Sequence, residues 1–143
     1  MISSQPITSV SLLLADLNGH GKLDAIVMSN VFGNLITEIL MGNGDGTFQS
    51  STYSAVLSFP GGVAGAAAIA DLNGDSKPDL VFTLNSEDLF FAMVALNLGN
   101  GTFAVPTQYA VNGTGAIAIG DMNGDGIPDI VTDGVTILYG DGK

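Results

Sequence analysis

The sequence predicts an all-β fold made of β-propeller blades, and three observations support this prediction. First, one acidic nine-residue segment occurs three times, starting at Asp16, Asp71 and Asp121. Second, successive copies start 55 and 50 residues apart, at or just above the repeat length of propeller blades. Third, short apolar runs bounded by Gly, Asn and Pro flank every copy, and runs of this length favour strands over helices.

Each copy is expected to fold as a four-stranded antiparallel meander. One apolar run precedes each acidic segment and another follows it, at 10–15 and 23–28, at 64–70 and 80–84, and at 115–120 and 130–132. A third run ends in a Gly-rich turn, where Asn-Gly or Asp-Gly supplies the positive φ of a tight hairpin. These third runs are 35–41, 89–96 and 135–139. More polar outer strands follow at 51–57 and 107–111, and the third copy stops before reaching one.

The first strands of the second and third copies have small side chains, at 65–68 and 115–116. Judged by propensity alone, these residues are poor strand formers. The innermost strands of a propeller converge on its axis, where small side chains relieve crowding. A short helix in the Ala-rich stretch is the alternative, but no polar face accompanies the alanines at helical spacing.

We expect one repeat domain over residues 1–143, with blades at about 7–58, about 62–111 and about 113–143, the last incomplete. A closed ring takes ~4–8 blades, so this partial propeller leaves two sheet faces open. Either the faces meet neighbouring blades of a longer chain, or identical chains assemble as a homo-oligomer to complete the ring. Two chains would bring six blades.

The composition excludes several classes of function. Fourteen acidic residues against three basic ones give a formal charge of −11, which excludes a nucleic-acid binder that works through its own basic surface. The absence of Cys excludes disulfides, thiolate zinc sites and thiol catalysis. The start of the chain has no basic segment, and the apolar stretch 12–15 is short, so neither a signal peptide nor membrane insertion is predicted for this chain.

The acidic segments have the pattern of a calcium loop. Oxygen-bearing side chains fall at positions 1, 3, 5 and 9, and Gly or a small residue stands at position 6, an arrangement that wraps a hard cation. Eight of the fourteen acids lie inside the three segments, where a dication would neutralise them. The alternative is that they are solvated turns, since Asn-Gly and Asp-Gly are turn signals by themselves.

These residues give the chain a resemblance to the FG-GAP repeat family, the integrin-alpha-like and VCBS-type β-propeller repeats of bacterial surface and secreted proteins. The resemblance covers nearly the whole chain. It rests on the Asp-x-Asn-Gly-Asp-x-x-x-Asp pattern, on Pro-Asp before the second strands at 78–79 and 128–129, and on the Gly-Asn-Gly-Asp-Gly-Thr-Phe turn at 42–48. A literal Gly-Ala-Pro element is missing. The resemblance implies propeller blades with a Ca²⁺ loop between the first two strands.

Carried over by position, the resemblance implies up to three Ca²⁺ sites. The third loop would bind through Asp121, Asn123, Asp125, the Ile127 carbonyl and Asp129. The second would bind through Asp71, Asn73, Asp75, the Lys77 carbonyl and Asp79, with Ser76 at position 6, where Gly is usual, adding a conformational cost. The first would use Asp16, Asn18, the Lys22 carbonyl and Asp24. Because His20 replaces its position 5 carboxylate with a softer nitrogen, calcium and an empty turn stay equal alternatives there.

No catalytic constellation is present, so the sequence predicts a non-catalytic calcium-binding module for adhesion, scaffolding or protein interaction. The resemblance implies an extracellular or cell-surface location. The alternative is a lectin-like propeller that binds carbohydrate. Its candidate platforms are aromatic, although packing between blades is the favoured explanation for these residues: Phe32, Tyr53, Phe59, Phe90, Phe91 and Tyr109.

Overall fold

The computed structural model describes residues 8–54 and 57–142. The described chain is all-β, which confirms the predicted fold class. Its strands are β1 Thr8–Ala15, β2 Asp24–Val31, β3 Asn34–Leu40, β4 Thr52–Tyr53, β5 Gly62–Ala70, β6 Asp79–Ser86, β7 Leu89–Ala95, β8 Thr107–Ala110, β9 Ile117–Gly120, β10 Asp129–Thr132 and β11 Ile137–Leu138.

The strands form three antiparallel meanders, as expected. Sheet 1 has the order β1-β2-β3-β4, sheet 2 the order β5-β6-β7-β8, and sheet 3 contains β9, β10 and β11 with β10 in the centre. Within the described residues, sheet 3 has no fourth strand. The predicted blade boundaries stay predictions, and parts of them, at residue 7, residues 55–56 and residue 143, lie outside the described residues.

The Ala-rich stretch of the second copy is a strand and not a helix. β5 lies beside β1 on one side and β9 on the other, so it joins the three sheets. A Cβ atom at Gly65 would collide with the backbone carbonyl of Thr114, and the pairing of β5 with β6 shifts register between Ala64 and Ala67. Small residues therefore let two backbones approach closely at this junction.

The core lies between sheets 1 and 2. Side chains of one face of sheet 1, including Ile26 and Met28, meet side chains of sheet 2 that include Leu80 and Phe82. All four are almost fully buried. The Phe59 ring packs against Phe82 with ring centroids 5.7 Å apart. Burying large apolar side chains at about 1.5–3 kcal/mol each makes this the main source of stability.

Sheets 2 and 3 are packed less completely. A cavity of about 370 Å³ opens between them, lined mostly by apolar side chains. Its walls include Val94 and Tyr109 of sheet 2 and Ile130 and Leu138 of sheet 3. A cavity thus remains between sheet 2 and the incomplete sheet 3.

Candidate metal centre

The three acidic segments form the loops between the first and second strands of each sheet. The first loop spans 16–24, the second 71–79 and the third 121–129. In every loop the position 1 aspartate accepts hydrogen bonds from three backbone N–H groups, those of positions 4 and 5 at Oδ1 and of position 6 at Oδ2. These donor–acceptor distances are 2.6–3.2 Å. The loop backbone therefore folds around the position 1 carboxylate.

Positions 3 and 5 continue this local network. The position 3 asparagine accepts a bond from the N–H of position 5 at 3.0–3.1 Å in all three loops. The Oδ1 atom of Asp75 accepts a bond from the Lys77 N–H at 3.0 Å, and that of Asp125 accepts one from the Ile127 N–H at 2.8 Å. Each bond leaves further oxygen lone pairs available on these side chains.

The position 9 aspartates Asp24, Asp79 and Asp129 are fully buried. One oxygen of each accepts a bond from the N–H of position 2 in its own loop at 2.8–2.9 Å. The other oxygen accepts a bond at 2.8–2.9 Å from a residue just after the third strand of the sheet. These donors are Gly42, Asn97 and Gly140. The aspartate thus ties the loop to the second turn of its sheet.

This link was missed by sequence reasoning, which assigned position 9 a role only toward metal. The available signal was the fixed place of Gly42, Asn97 and Gly140 at the start of the second turn of each copy. A buried carboxylate needs donors, because leaving one without hydrogen bonds is costly. Position 9 therefore has a structural duty that does not depend on an ion.

The first loop differs through His20. Its Nδ1 lies 3.1 Å from Oδ1 of Asp16, and its Nε2 lies 3.2 Å from the Gly42 carbonyl oxygen and 3.6 Å from Oδ1 of Asp24. Among the described residues, this is the one group of His, Cys, Asp or Glu whose three ligand atoms all lie within 4.8 Å of one another. The loop with the least typical sequence is thus the one whose ligand atoms converge.

In the other two loops the position 5 carboxylate is engaged locally. Oδ2 of Asp75 lies 2.9 Å from the ammonium of Lys77, and Oδ2 of Asp125 accepts a bond of 2.8 Å from the side-chain amide of Asn123. These oxygens would have to exchange their present partners for an ion. The position 7 carbonyls of Lys22, Lys77 and Ile127 stay predicted ligands.

Ser76 has the left-handed backbone from which a conformational cost was expected, and metal binding at this loop stays a prediction. Its φ is +65°, in the left-handed region, while Gly21 and Gly126 at the same position have φ of +80° and +84°. A non-glycine residue pays a steric cost in this region because of its Cβ atom. The second loop thus adopts the same fold as the others under strain.

The local electrostatics favour ionised carboxylates at the loop surface. The N–H of position 6 lowers the pKa of Asp16 to about 2, and the same bond lowers the pKa of Asp121. The Lys77 ammonium lowers the pKa of Asp75. Burial acts in the opposite direction on Asp79 and raises its pKa. Negative charge therefore persists at Asp16, Asp75 and Asp121, where a cation would approach.

The candidate carbohydrate platforms divide into two groups. Phe59 and Phe91 pack against the core, as the alternative explanation expected. Phe32 and Phe90 lie near hairpin ends and are exposed, and Tyr109 lines the cavity between sheets 2 and 3. The side chain of Tyr53 lies outside the described residues.

With this geometry in hand, comparison with protein families gives a direct result. The model of the FG-GAP-like repeat matches residues 16–82 and 83–132, most of the chain. The chain belongs to the FG-GAP-like repeat family. Both matched segments include acidic loops, so the family pattern follows the three loops described above. Comparison with curated proteins and with solved structures finds no significant match.

Among the residues that the structure describes, there is no helix of the length and apolarity needed to cross a membrane.

Proposed function

We propose that this FG-GAP protein is a non-catalytic calcium-binding module that acts outside the cell in adhesion or scaffolding. The observation that carries the proposal is the shared architecture of the three loops. In each one, position 1 gathers the backbone N–H groups and position 9 anchors the loop to the sheet. In the second and third loops, the oxygen atoms of positions 3 and 5 are left near the surface on a backbone that is already folded.

Calcium suits these loops because it takes six to eight oxygen ligands at flexible angles. The second and third loops each offer three carboxylates and one amide oxygen, and a backbone carbonyl and water would complete the shell. Family membership supports the assignment, since FG-GAP repeats often bind Ca²⁺. The ion would replace the contacts of Asp75 with Lys77 and of Asp125 with Asn123.

The loops should differ in affinity. The third loop has every ligand and glycine at position 6, so it should bind most tightly. The second carries the strain of Ser76, and its position 5 carboxylate is paired with Lys77. The first has one carboxylate fewer, and His20 already bridges the two that remain. Calcium is a hard cation that prefers oxygen to imidazole nitrogen, so this loop should bind it weakest.

Bound calcium would act on the fold by mass action. An ion that binds the native chain and not the unfolded one adds stability by RT ln(1 + [L]/Kd), or about 2.7 kcal/mol at a concentration one hundred times Kd. Extracellular modules bind calcium with Kd of about 10⁻⁴–10⁻³ M, which suits constitutive occupancy outside the cell. The family, whose repeats are typically extracellular, supports this location. We expect the ions to rigidify the loop end of each sheet for partner contacts.

A titration followed by calorimetry tests the metal assignment. The wild-type protein should bind two Ca²⁺ ions clearly, with a third that is weaker. Asp75→Asn and Asp125→Asn each keep a bond acceptor for the position 7 N–H but remove a charge, so each should abolish one site. Asp45→Asn is the matched control, because Asp45 is an exposed aspartate outside the three loops. If the Asp75→Asn and Asp125→Asn proteins both bound as many Ca²⁺ ions per chain as the wild type, the proposal would be contradicted.

His20→Asp supplies the reverse test. It restores the missing carboxylate and should convert the weak first site into one comparable to the third. A glycan array tests the carbohydrate-binding alternative, for which several strong hits would be required. A blank array agrees with the scaffolding role.

A further inference from the structure

The outer faces of sheets 1 and 3 are both apolar and uncovered by the described residues. On sheet 1, Leu12, Leu14 and Phe48 are 67%, 53% and 44% exposed. On sheet 3, Met122 and Tyr139 are 58% and 63% exposed. Exposed apolar side chains that cluster on one face usually mark a contact with another protein surface.

Comparison of equivalent positions in the repeats shows which surface each outer face would complement. Loop position 2 is Leu17 in the first copy and Met122 in the third. Leu17 is buried to 1% exposure in the core between sheets 1 and 2, whereas Met122, which no further sheet covers, is open. The phenylalanine of the second turn shows the converse. Phe103 is buried between sheets 1 and 2, and Phe48, at the same position of sheet 1, is exposed.

Two faces can therefore be defined by their correspondence with the existing interface. The leading face of sheet 1 consists of Leu12, Leu14, Val27, Leu40 and Phe48, and the trailing face of sheet 3 consists of Ala118, Met122, Val131, Ile137 and Tyr139. Ile137 and Tyr139 lie at the edge of sheet 3 and also border the cavity against sheet 2. By strand register, the leading face repeats the positions of Ala67, Ile69, Phe82, Ala95 and Phe103. The trailing face repeats the positions of Leu13, Leu17, Ile26, Ile39 and Met41.

Six of these ten corresponding residues belong to the core cluster that joins sheets 1 and 2, and the other four are partly buried and pack against it. The chain thus carries, unpaired at its two outer sheets, both halves of an interface that it already makes inside itself. The combined side-chain volume of the facing first strands would also be the same in the proposed contact as in the existing interface. The existing interface has Leu13 on one side and Ala67 on the other, and the outer faces have Ala118 and Leu12. Volume-conserving exchanges are the ones that apolar interfaces tolerate best.

We propose that the trailing face of one copy packs on the leading face of a second copy, so that two chains associate head to tail and close a ring of six sheets. A second copy is the occupant that we infer for these faces, because each face repeats one half of the interface between sheets 1 and 2 and therefore complements the other. A head-to-tail contact closes when its rotation allows, and six sheets lie within the ~4–8 blades of known propellers. The contact does not depend on metal.

A charged side chain on the leading face should weaken this contact. Glu38 is exposed on the leading face at the position where sheet 2 has Met93, which is buried. A carboxylate brought into an apolar contact carries a desolvation penalty. Wild-type association should therefore be weaker than the packing of sheet 1 on sheet 2, and Glu38→Met should tighten it by at least about tenfold.

Light scattering coupled to gel filtration tests the proposal, at several concentrations and in both Ca²⁺ and chelator. The expected particle has twice the 14.5 kDa of the chain. Leu14→Glu and Met122→Glu should each shift it to monomer. Val105→Glu is the control, since Val105 is 78% exposed and belongs to neither face. Both face variants alter exposed residues, and circular dichroism checks that they stay folded.

Mixing the two face variants gives the sharpest result. The trailing face of the Leu14→Glu protein and the leading face of the Met122→Glu protein are intact, so the 1:1 mixture should recover dimer through one contact. A monomer in every sample, including Glu38→Met, would overturn the proposal. So would a dimer that persists in both face variants, or a mass that grows with concentration without limit, since the latter indicates an open chain of copies.

Discussion

The aspartates at positions 9 and 5 are expected to have different roles, position 9 mainly in the stability of the fold and position 5 mainly in metal binding. Asp79 is fully buried and accepts bonds from the N–H groups of Leu72 and Asn97, whereas Asp75 lies at the surface. In chelator, Asp79→Ala should lower the free energy of unfolding by about 2–5 kcal/mol, because two backbone donors lose their partner. Asp75→Ala should change it by about 0.5 kcal/mol or less.

Urea denaturation in chelator measures both values. With calcium present, Asp75→Ala should also fail to show the full stabilisation of the wild type. Equal losses for the two variants in chelator would mean that position 9 has no special role in the fold.

The second and third loops have different residues at position 6, so each residue can be replaced by the other to test the strain. Ser76 has a φ of +65°, and Gly126 occupies the same place in the third loop. Ser76→Gly should raise stability by about 1 kcal/mol, because glycine enters the left-handed region without a Cβ penalty. The reverse change, Gly126→Ser, should lower stability by a similar amount. Thermal unfolding in chelator measures the stability of both variants, and a lower stability of Ser76→Gly would contradict the strain assigned to Ser76.

Asp45 gives a prediction about pH outside the metal loops. The Thr47 hydroxyl donates to its carboxylate and lowers its pKa below the ordinary 3.8. A lowered folded-state pKa contributes stability that is present above pH 3.8 and is lost as pH falls through the folded value. In Asp45→Asn this part of the acid dependence should disappear. The second copy already has Asn100 at this place, accepting the same bonds from Thr102, so the variant should fold normally.

The carboxyl resonance of Asp45, followed by NMR as pH is lowered, measures the midpoint directly. Thr47→Ala should move that midpoint upward toward 3.8. A midpoint that does not respond to the loss of the hydroxyl would show that the bond is absent in solution.

At the scale of elements, the strands and their order follow from patterns in the sequence. Apolar runs between turn residues predicted the first three strands of each sheet, and the structure has them within a few residues, as in Asp79–Ser86 against the expected 80–84. The two outer strands differ in accuracy. β8 is Thr107–Ala110 against the expected 107–111, whereas β4 is Thr52–Tyr53 against the expected 51–57, of which residues 55–56 lie outside the described residues. The length of a strand depends on tertiary contacts as well as on local pattern.

Local sequence patterns could not predict close contacts between backbone segments that are distant in sequence. Gly65 is a poor strand residue by propensity, and the reason for it lies in the approach of Thr114, far away in sequence. One donor to each buried aspartate likewise comes from a residue after the third strand of its sheet, 11 to 18 positions further along the chain. Such constraints belong to the packed molecule, so the sequence reveals the small residue but not its neighbour.

The junction of β5 and β9 can be tested by adding one methyl group. Gly65→Ala should be strongly destabilising, by about 1–3 kcal/mol, because its Cβ would meet the Thr114 carbonyl, a backbone atom that cannot move aside cheaply. Gly120→Ala is the control, since Gly120 also lies in a first strand and its Cβ would meet open space. That variant should be neutral or slightly stabilising. Equal effects in denaturant would indicate that the two backbones are not in contact.

At the scale of the whole molecule, charge links the three loops. The formal charge is −11, and eight of the fourteen acids lie in the loops, so self-repulsion concentrates at one end of every sheet. Net charge of one sign destabilises a compact chain, and salt screens it within about 10 Å at 0.1 M. The loop sequences made this concentration of charge visible before the fold was known, whereas the packing of the sheets was not.

Screening and coordination can be told apart by the choice of cation. In chelator, the melting temperature should rise with sodium chloride, because screening weakens repulsion among the loops. Millimolar CaCl₂ should raise it further than MgCl₂ at the same concentration, since Mg²⁺ screens equally but demands octahedral geometry and holds its waters. A variant carrying both Asp75→Asn and Asp125→Asn should lose the difference between the two salts and keep the response to sodium. If Mg²⁺ stabilises the wild type as much as Ca²⁺, neutralisation of charge alone is sufficient, and the loops are acidic turns without a coordination site.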